Sequence, residues 1–310
     1  MKKLSIGYIA MLFISLFLTL NSCNKEDQKV NTNLLAINTE IKNESKETSE
    51  NLSEEFKKYW YAGEAEITSY KLEQARYGQL RDGGAVLIYV TEDFLPEKQV
   101  KADRQNSSNI PVMKLNSTKN FNTGVYPYSI MQSAFYPVSN DRHAIKVSSS
   151  VQEWCGQQYS QLNNRDKFEI VSHSYFEREA DNEITIDKAI LENELWSKLR
   201  INPSSLPTGN IKIIPSLEYI RLSHRPTKAY DAIAKMNNGS YSIEYPELKR
   251  TLTINFNTEF PYEILGWTES EQRRGQILTS TATKIATLKS AYWGKNSNKD
   301  GNLREILQLD

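Results

Sequence analysis

The sequence predicts a mainly β, α+β protein: a large antiparallel sheet with one long helix packed on it. Three observations carry this. After Gly63, short runs that alternate apolar and polar residues follow one another almost to the end of the chain, separated by Gly, Pro, Asn and Ser. Seventeen tyrosines in 310 residues, with ample Thr, Ile and Val, favour strands over helices. A sustained helical period occurs in one stretch only, "ITIDKAILENELWSKLRIN" (184–202).

The first folded element is a short helix. Ser53 followed by Glu54, Glu55 and Phe56 is an N-cap with acids in the first turn, and the helix ends near Tyr61. "AVLIYVTEDF" (85–94) is apolar on both alternations, as in a strand covered on both faces, and belongs at the sheet centre with residues 67–77 as its partner. A polar connection spans about Val100 to Ser108, and then "IPVMKLN", "YPYSIMQSAFYPV", "HAIKVSSSVQEW" and "KFEIVSHSYF" read as a meander. In the long helix Asp187 is the cap, Leu191, Leu195, Trp196 and Leu199 form the apolar stripe, and Pro203 ends the run. Strands resume with "NIKIIPSLEYIRLSH", "GSYSIEYP", "KRTLTINFN", "YEILGWTE" and "ILTSTATKIATLKSAYWG". In the third of these, Leu252, Ile254 and Phe256 face the core, while Thr251, Thr253 and Asn255 face away.

The amino terminus is organised differently. Met1, Lys2 and Lys3 precede an almost wholly apolar run from Leu4 to Leu20, the layout of a secretory signal segment. A spanning helix needs about 20 apolar residues, and this run stops at Leu20, Asn21, Ser22, Cys23. That tetrad resembles the bacterial lipoprotein box, which implies a signal peptide over 1–22 and acylation of Cys23. Several acyl chains, at about 0.8 kcal/mol per buried methylene, hold a protein permanently on a membrane. Lys25, Glu26 and Asp27 resemble the lysine-plus-acids signal that exports some outer-membrane lipoproteins to the cell surface; a solvated charge run gives the same letters. Residues 23–52 are too poor in large apolar side chains to order themselves and read as a tether, leaving 53–310 as the globular part.

Composition and motifs exclude more than they assign. Lys plus Arg and Asp plus Glu number 38 each, so no basic field draws in nucleic acid. The sequence holds no GxGxxG, P-loop or GxSxG. The three histidines, His143, His173 and His224, have no metal-ligand spacing, and no cofactor motif occurs. Cys155 in "EWCGQQY" begins like a redox motif, but Gln158 stands where a second cysteine is needed, so Cys155 reads as a small buried hydrophobe. The most basic short stretch, Arg221, His224, Arg225 and Lys228, is a candidate anion patch or simply an exposed loop between strands. Tyr126, Tyr128, Phe135, Tyr136, Tyr241, Tyr245, Phe260, Tyr262 and Trp267 can line a groove for a lipid, a glycan or a partner, or can fill the core.

At "YWYAGEAEITSYKLEQARYG", "VTEDFLPEKQVKAD" and "KRTLTINFNTEFPYEILGWTE" the chain resembles a family of uncharacterised envelope lipoproteins, some labelled septum formation inhibitor Maf. That label implies a nucleotide pyrophosphatase with a Ser…Arg-Arg motif near the amino terminus, whereas the Arg-Arg pair here is Arg273 and Arg274, near the other end. "GSYSIEYP" and "FPYEILGWTE" are weakly similar to lipoprotein carriers, which implies a large curved antiparallel sheet with an acyl-binding hollow. The expectation is a lipid-anchored envelope protein that binds an apolar or amphipathic ligand among aromatics. The alternatives are a surface interaction protein without a pocket, marked by an exposed apolar patch, and a hydrolase, marked by clustered carboxylates or by Cys155 with a histidine.

Overall fold

The structure, a computed structural model, describes residues 52–138 and 142–309. Cys23, Lys25, Glu26 and Asp27, with the signal segment and tether, lie outside the described residues. In chain order the elements are helix α1 (Glu54–Trp60) and strands β1 (Ala65–Arg76), β2 (Gln79–Leu95), β3 (Val100–Lys101), β4 (Ile110–Thr123), β5 (Tyr126–Pro137), β6 (Lys146–Glu153), β7 (Gly156–Asn164), β8 (Phe168–Ser174), β9 (Asn182–Ile186) and β10 (Ile190–Leu191). Then come α2 (Glu192–Ile201), β11 (Gly209–Ile214), α3 (Leu217–Ser223), β12 (Tyr230–Asn237), β13 (Ser240–Tyr245), β14 (Arg250–Phe256), β15 (Ile264–Arg273), β16 (Gln276–Ser290) and α4 (Asn302–Ile306).

All sixteen strands belong to one open, curved sheet, ordered β10-β11-β12-β13-β14-β15-β16-β1-β2-β4-β5-β6-β7-β8-β9, with β3 paired to β2. Every pairing is antiparallel except β10 with β11. The two ends of this path, β9 and β10, are joined by residues 187–189 alone. Four Cα steps reach at most about 14 Å, so the sheet must curl until its edges nearly meet. That curl makes an inside and an outside.

Alternation decides which side chains go in. On β14, Leu252, Ile254 and Phe256 are buried, as the pattern predicts, and Asn255 is exposed. β1 and β2 sit at the middle of the path, and β2 is covered on both faces. Ala85, Leu87 and Tyr89 join the inner core, while Val86, Ile88 and Val90 pack outside with Ala65, Ile67 and Leu307 beside α4. The inner core is closed by Phe56 and Trp60 of α1 and by Leu195 and Leu199 of α2, each fully buried leucine contributing about 1.5–3 kcal/mol.

The single long helix is not what the chain forms. Four short helices occur among the described residues, and α2 has ten residues, beginning at Glu192 and not near Asp187. The cause is competition from the sheet. Ile184 and Ile186 pair with Ile170 and Phe168 on β8, and Ile190 and Leu191 pair with Ile213 and Ile214 on β11. Asp187 instead forms a surface pair with Lys167, at 2.8 Å. The helix starts where the Glu194 carboxylate accepts the backbone N–H of Leu191, at 3.1 Å, and that of Ala144, at 2.7 Å. A second departure follows Pro215, where Ser216 accepts the N–H of Tyr219 and turns "LEYIRLS" into α3 rather than a strand.

Candidate functional site

α2 lies against β4 and β5 on the inner face and buries charge as well as leucine. Glu192, Asn193, Glu194 and Arg200 are all buried. Arg200 makes a bidentate pair with Glu66 of β1, at 2.5 and 2.7 Å, and its guanidinium lies over the rings of Trp60 and Tyr89. Glu192 makes a second such pair with Arg250 of β14, at 2.5 and 2.8 Å, and accepts the Tyr245 hydroxyl at 2.6 Å. Arg250 donates through its third nitrogen, Nε, to Glu269 at 2.6 Å and stacks under Tyr219 at 4.1 Å. Beside it, Lys119 and Gln132 both donate to Glu218 of α3, each at 2.8 Å.

Glu192, Arg250, Glu269, Lys119, Gln132 and Glu218 surround a chamber of about 40 Å³, lined also by Trp196, Trp267, Leu115 and Leu252. Through Ser216, Glu218 and Glu269 it adjoins a cleft of about 550 Å³. The cleft opens between α3 and the turns that join β1 to β2 and β15 to β16, with Tyr219, Leu222 and Leu278 on its apolar wall and Arg76, Glu271, Arg273 and Arg274 among its charges. A volume of this size fits a small organic ligand.

The electrostatics are closed in pairs. Burial would raise the Glu269 pKa, but Arg250 and Lys119 outweigh it and hold the carboxyl below its usual range. Burial would lower the Lys119 pKa, but Glu218 and Glu269 together outweigh it and hold the amine above its usual range. Burial, then Glu271, which accepts its hydroxyl at 3.0 Å, pushes Tyr219 up to about 12. General acid–base catalysis works best with a group titrating near the working pH, and none of these three does. In the cleft wall Gln74 donates to Ser280 at 3.1 Å, while its Oε1 is buried with no hydrogen-bond partner in the protein.

Sequence reading missed most of this site. The signal was present in the strand period: Arg250 extends the inward set Leu252, Ile254 and Phe256 by one step, Glu269 follows Trp267, and Lys119 lies between Leu115 and Phe121 on one face. The candidate anion patch is spread over α3 and the segment after it. Arg221 is buried against Glu179, at 2.8 Å, and over Phe176, and His224 reaches the same carboxylate at 2.8 Å. Arg225 lies 4.0 Å from Glu271, and Lys228 lies 3.1 Å from Glu247. Of the four, His224 lines the cleft.

Cys155 is exposed in the turn between β6 and β7 and is not a buried hydrophobe. A hydrogen bond to Glu153 raises its pKa, the reverse of what activates a nucleophile. His143 is engaged with Glu194 at 2.9 Å and His173 with Asp181 at 3.4 Å. Of the aromatics, Tyr128, Tyr136, Tyr241, Tyr245 and Trp267 are core, and Trp267 also lines the inner chamber. The cleft combines the aromatic rings of Tyr77 and Tyr219 with carboxylates matched to cations. Among the described residues no group of three or more His, Cys, Asp or Glu is placed to hold a metal ion, and no helix is long and apolar enough to cross a membrane.

No family model and no curated protein matches the chain. Two solved structures are similar in outline. One is a β-barrel-like protein of a domain of unknown function, DUF1849, from Brucella abortus, at 6% identity and TM-score 0.43, over 73% of this chain and 97% of that one. The other is a porin-like protein from Bacteroides uniformis, at 13% identity and TM-score 0.22, over 71% and 96%.

Proposed function

We propose that this protein is a lipid-anchored binding protein of the cell envelope, carried on Cys23, that holds a small amphipathic molecule in the cleft beside α3. The observation that carries the reading is the cleft itself: about 550 Å³, with an apolar wall of Tyr219, Leu222 and Leu278 facing a charged rim. An apolar tail lies along that wall, and a polar head meets Arg76, Arg274 and Glu271. The unpartnered Gln74 Oε1 accepts a hydrogen bond from the ligand or from a water beneath it. Binding is favoured over hydrolysis because the carboxylates Glu192, Glu218 and Glu269 are each tied to a cation, so none of the three is a free base.

The test is displacement of a naphthylamine probe that fluoresces in apolar surroundings. The full chain should bind the probe saturably and release it to amphiphiles of about ten to sixteen carbons. Leu278→Glu, which sets a charge in the apolar wall, should weaken binding at least tenfold while leaving the circular dichroism spectrum unchanged. Absence of saturable binding, or binding that Leu278→Glu leaves intact, overturns the reading.

A further inference from the structure

The most exposed large apolar side chains of the described residues are Val125 at 80%, Tyr175 at 76%, Trp154 at 69%, Ile277 at 66% and Tyr77 at 59%. They come from five separate connections or strand ends, yet strand direction puts them all at one end of the sheet. β1 climbs to Tyr77, β4 to the turn before Tyr126, β6 to Trp154 and β8 to Tyr175. β16 starts at the same end, since its Thr281 pairs with Glu73 near the top of β1.

Contacts link these tips into one arc. Gln276 approaches Gly78, whose neighbour Tyr77 shares a hydrogen bond of 2.7 Å with Tyr128. The Tyr126 ring lies 6.0 Å from that of Tyr128, β5 pairs with β6 at Ser129 and Gln152 just below the Trp154 turn, and the Tyr175 ring lies over Gly156, where a Cβ would meet it at 2.7 Å. With about 4.8 Å between strands, four hairpin intervals make the arc roughly 40 Å long.

The arc exposes apolar side chains of a particular chemistry. Val125, Trp154 and Tyr175 stand in turns or at strand ends, Ile277 lies one step into β16, and Tyr77 leaves its ring exposed while its hydroxyl reaches Tyr128; polar residues separate them along the chain, whereas an apolar patch that a partner protein covers is contiguous. Three of the five are Tyr or Trp, whose apolar bodies and polar ends favour the boundary between water and lipid. Exposed Arg178, Arg273 and Arg274 are balanced at this end by Glu153, Glu177 and Asp181, so no net field calls for an anionic or cationic partner. The mouth of the cleft, at Tyr77, Gly78 and Arg274, lies on the same arc.

We infer that this end of the sheet docks on a phospholipid bilayer, inserting Tyr77, Val125, Trp154, Tyr175 and Ile277 to headgroup depth and turning the cleft mouth to the membrane. The docking stands independently of whether the cleft holds a ligand, and it is separate from any anchor at Cys23.

The chain supplies its own reporter, because Cys155 is exposed beside Trp154 and the other cysteine is Cys23. Full-length protein carrying Cys23→Ala is labelled at Cys155 with a nitrobenzoxadiazole dye and mixed with neutral phosphatidylcholine vesicles. The dye should brighten at least threefold, shift to the blue and be quenched by spin-labelled lipid, with little change between 50 and 500 mM salt. Changing Tyr77, Trp154 and Tyr175 together to Ser should abolish the response, even where the amino-terminal segment keeps the protein on the vesicle. A dye that stays in water on vesicle-bound protein, or a response the triple variant retains, overturns the proposal; the first would make the arc a protein-facing surface.

Discussion

Replacing Arg250 with Met removes one cation from between two carboxylates. Glu192 loses its bidentate partner and Glu269 its 2.6 Å contact, while the side chain of Glu192 keeps only 3% exposure and that of Glu269 18%. Removing one member of a buried pair typically costs about 3–5 kcal/mol, because the charge left behind is not resolvated. For a domain of this size each kcal/mol lowers the melting temperature by about 2–4 °C, so Arg250→Met should melt about 6–20 °C below wild type at pH 7. The sign with pH is a further constraint. In wild type the Glu269 pKa lies below its unfolded value, so its stabilisation is present above about pH 4.5 and lost as pH falls through the folded pKa. Without Arg250, burial should raise that pKa, and the penalty then grows as pH rises. The deficit of the variant should therefore shrink as pH is taken from 7 to 4. Thermal melts followed by circular dichroism across that range give both numbers. A loss under about 1 kcal/mol, or a deficit that widens in acid, would refute the account of a charge network that holds α2 in place. Adding Glu192→Gln to Arg250→Met should recover part of the loss, since one stranded charge is then gone.

Two more outcomes follow from particular contacts. Gly83 lies directly against the backbone of β4; a Cβ there would meet the Asn120 carbonyl at 2.3 Å, so Gly83→Ala should destabilise by about 1–3 kcal/mol in urea unfolding, and a neutral result would argue against this register. Glu153→Ala removes both the hydrogen bond and the charge that raise the Cys155 pKa, so iodoacetamide should alkylate the folded variant faster than wild type at pH 8, with unchanged or slower alkylation counting against that contact.

How far the sequence reveals this molecule depends on which forces are local. The alternation of Leu252, Ile254 and Phe256 and the two-sided apolar run at 85–94 report burial directly, and both strands form where they are expected. The cap at Ser53 likewise marks α1 correctly, with Ser53 Oγ accepting the Phe56 N–H at 3.1 Å. The helix after residue 184 was legible in its stripe, since Leu195 and Leu199 do face the core, but not in its start. Ile184, Ile186, Ile190 and Leu191 are claimed by neighbours on β8 and β11, and no local signal announces a distant partner. The site was harder still. Glu66 lies within reach of Arg200, and Glu192 of Arg250, across separations of 134 and 58 residues, and a charged residue on an inward alternation looks like an error in the pattern until its partner is seen. Cys155 shows the opposite failure. Its small, apolar-leaning side chain suits a core, but it occupies a two-residue turn whose position at the tip is set by the strands on either side.

The central claim is that the cleft beside α3 holds a small amphiphile, and native mass spectrometry of the full-length protein, purified in mild detergent, addresses it most directly. The account predicts a population heavier than the apo chain by one discrete ligand mass, released on collisional activation and absent from Leu278→Glu prepared in the same way. A clean apo mass that persists when candidate amphiphiles are added in excess would contradict it.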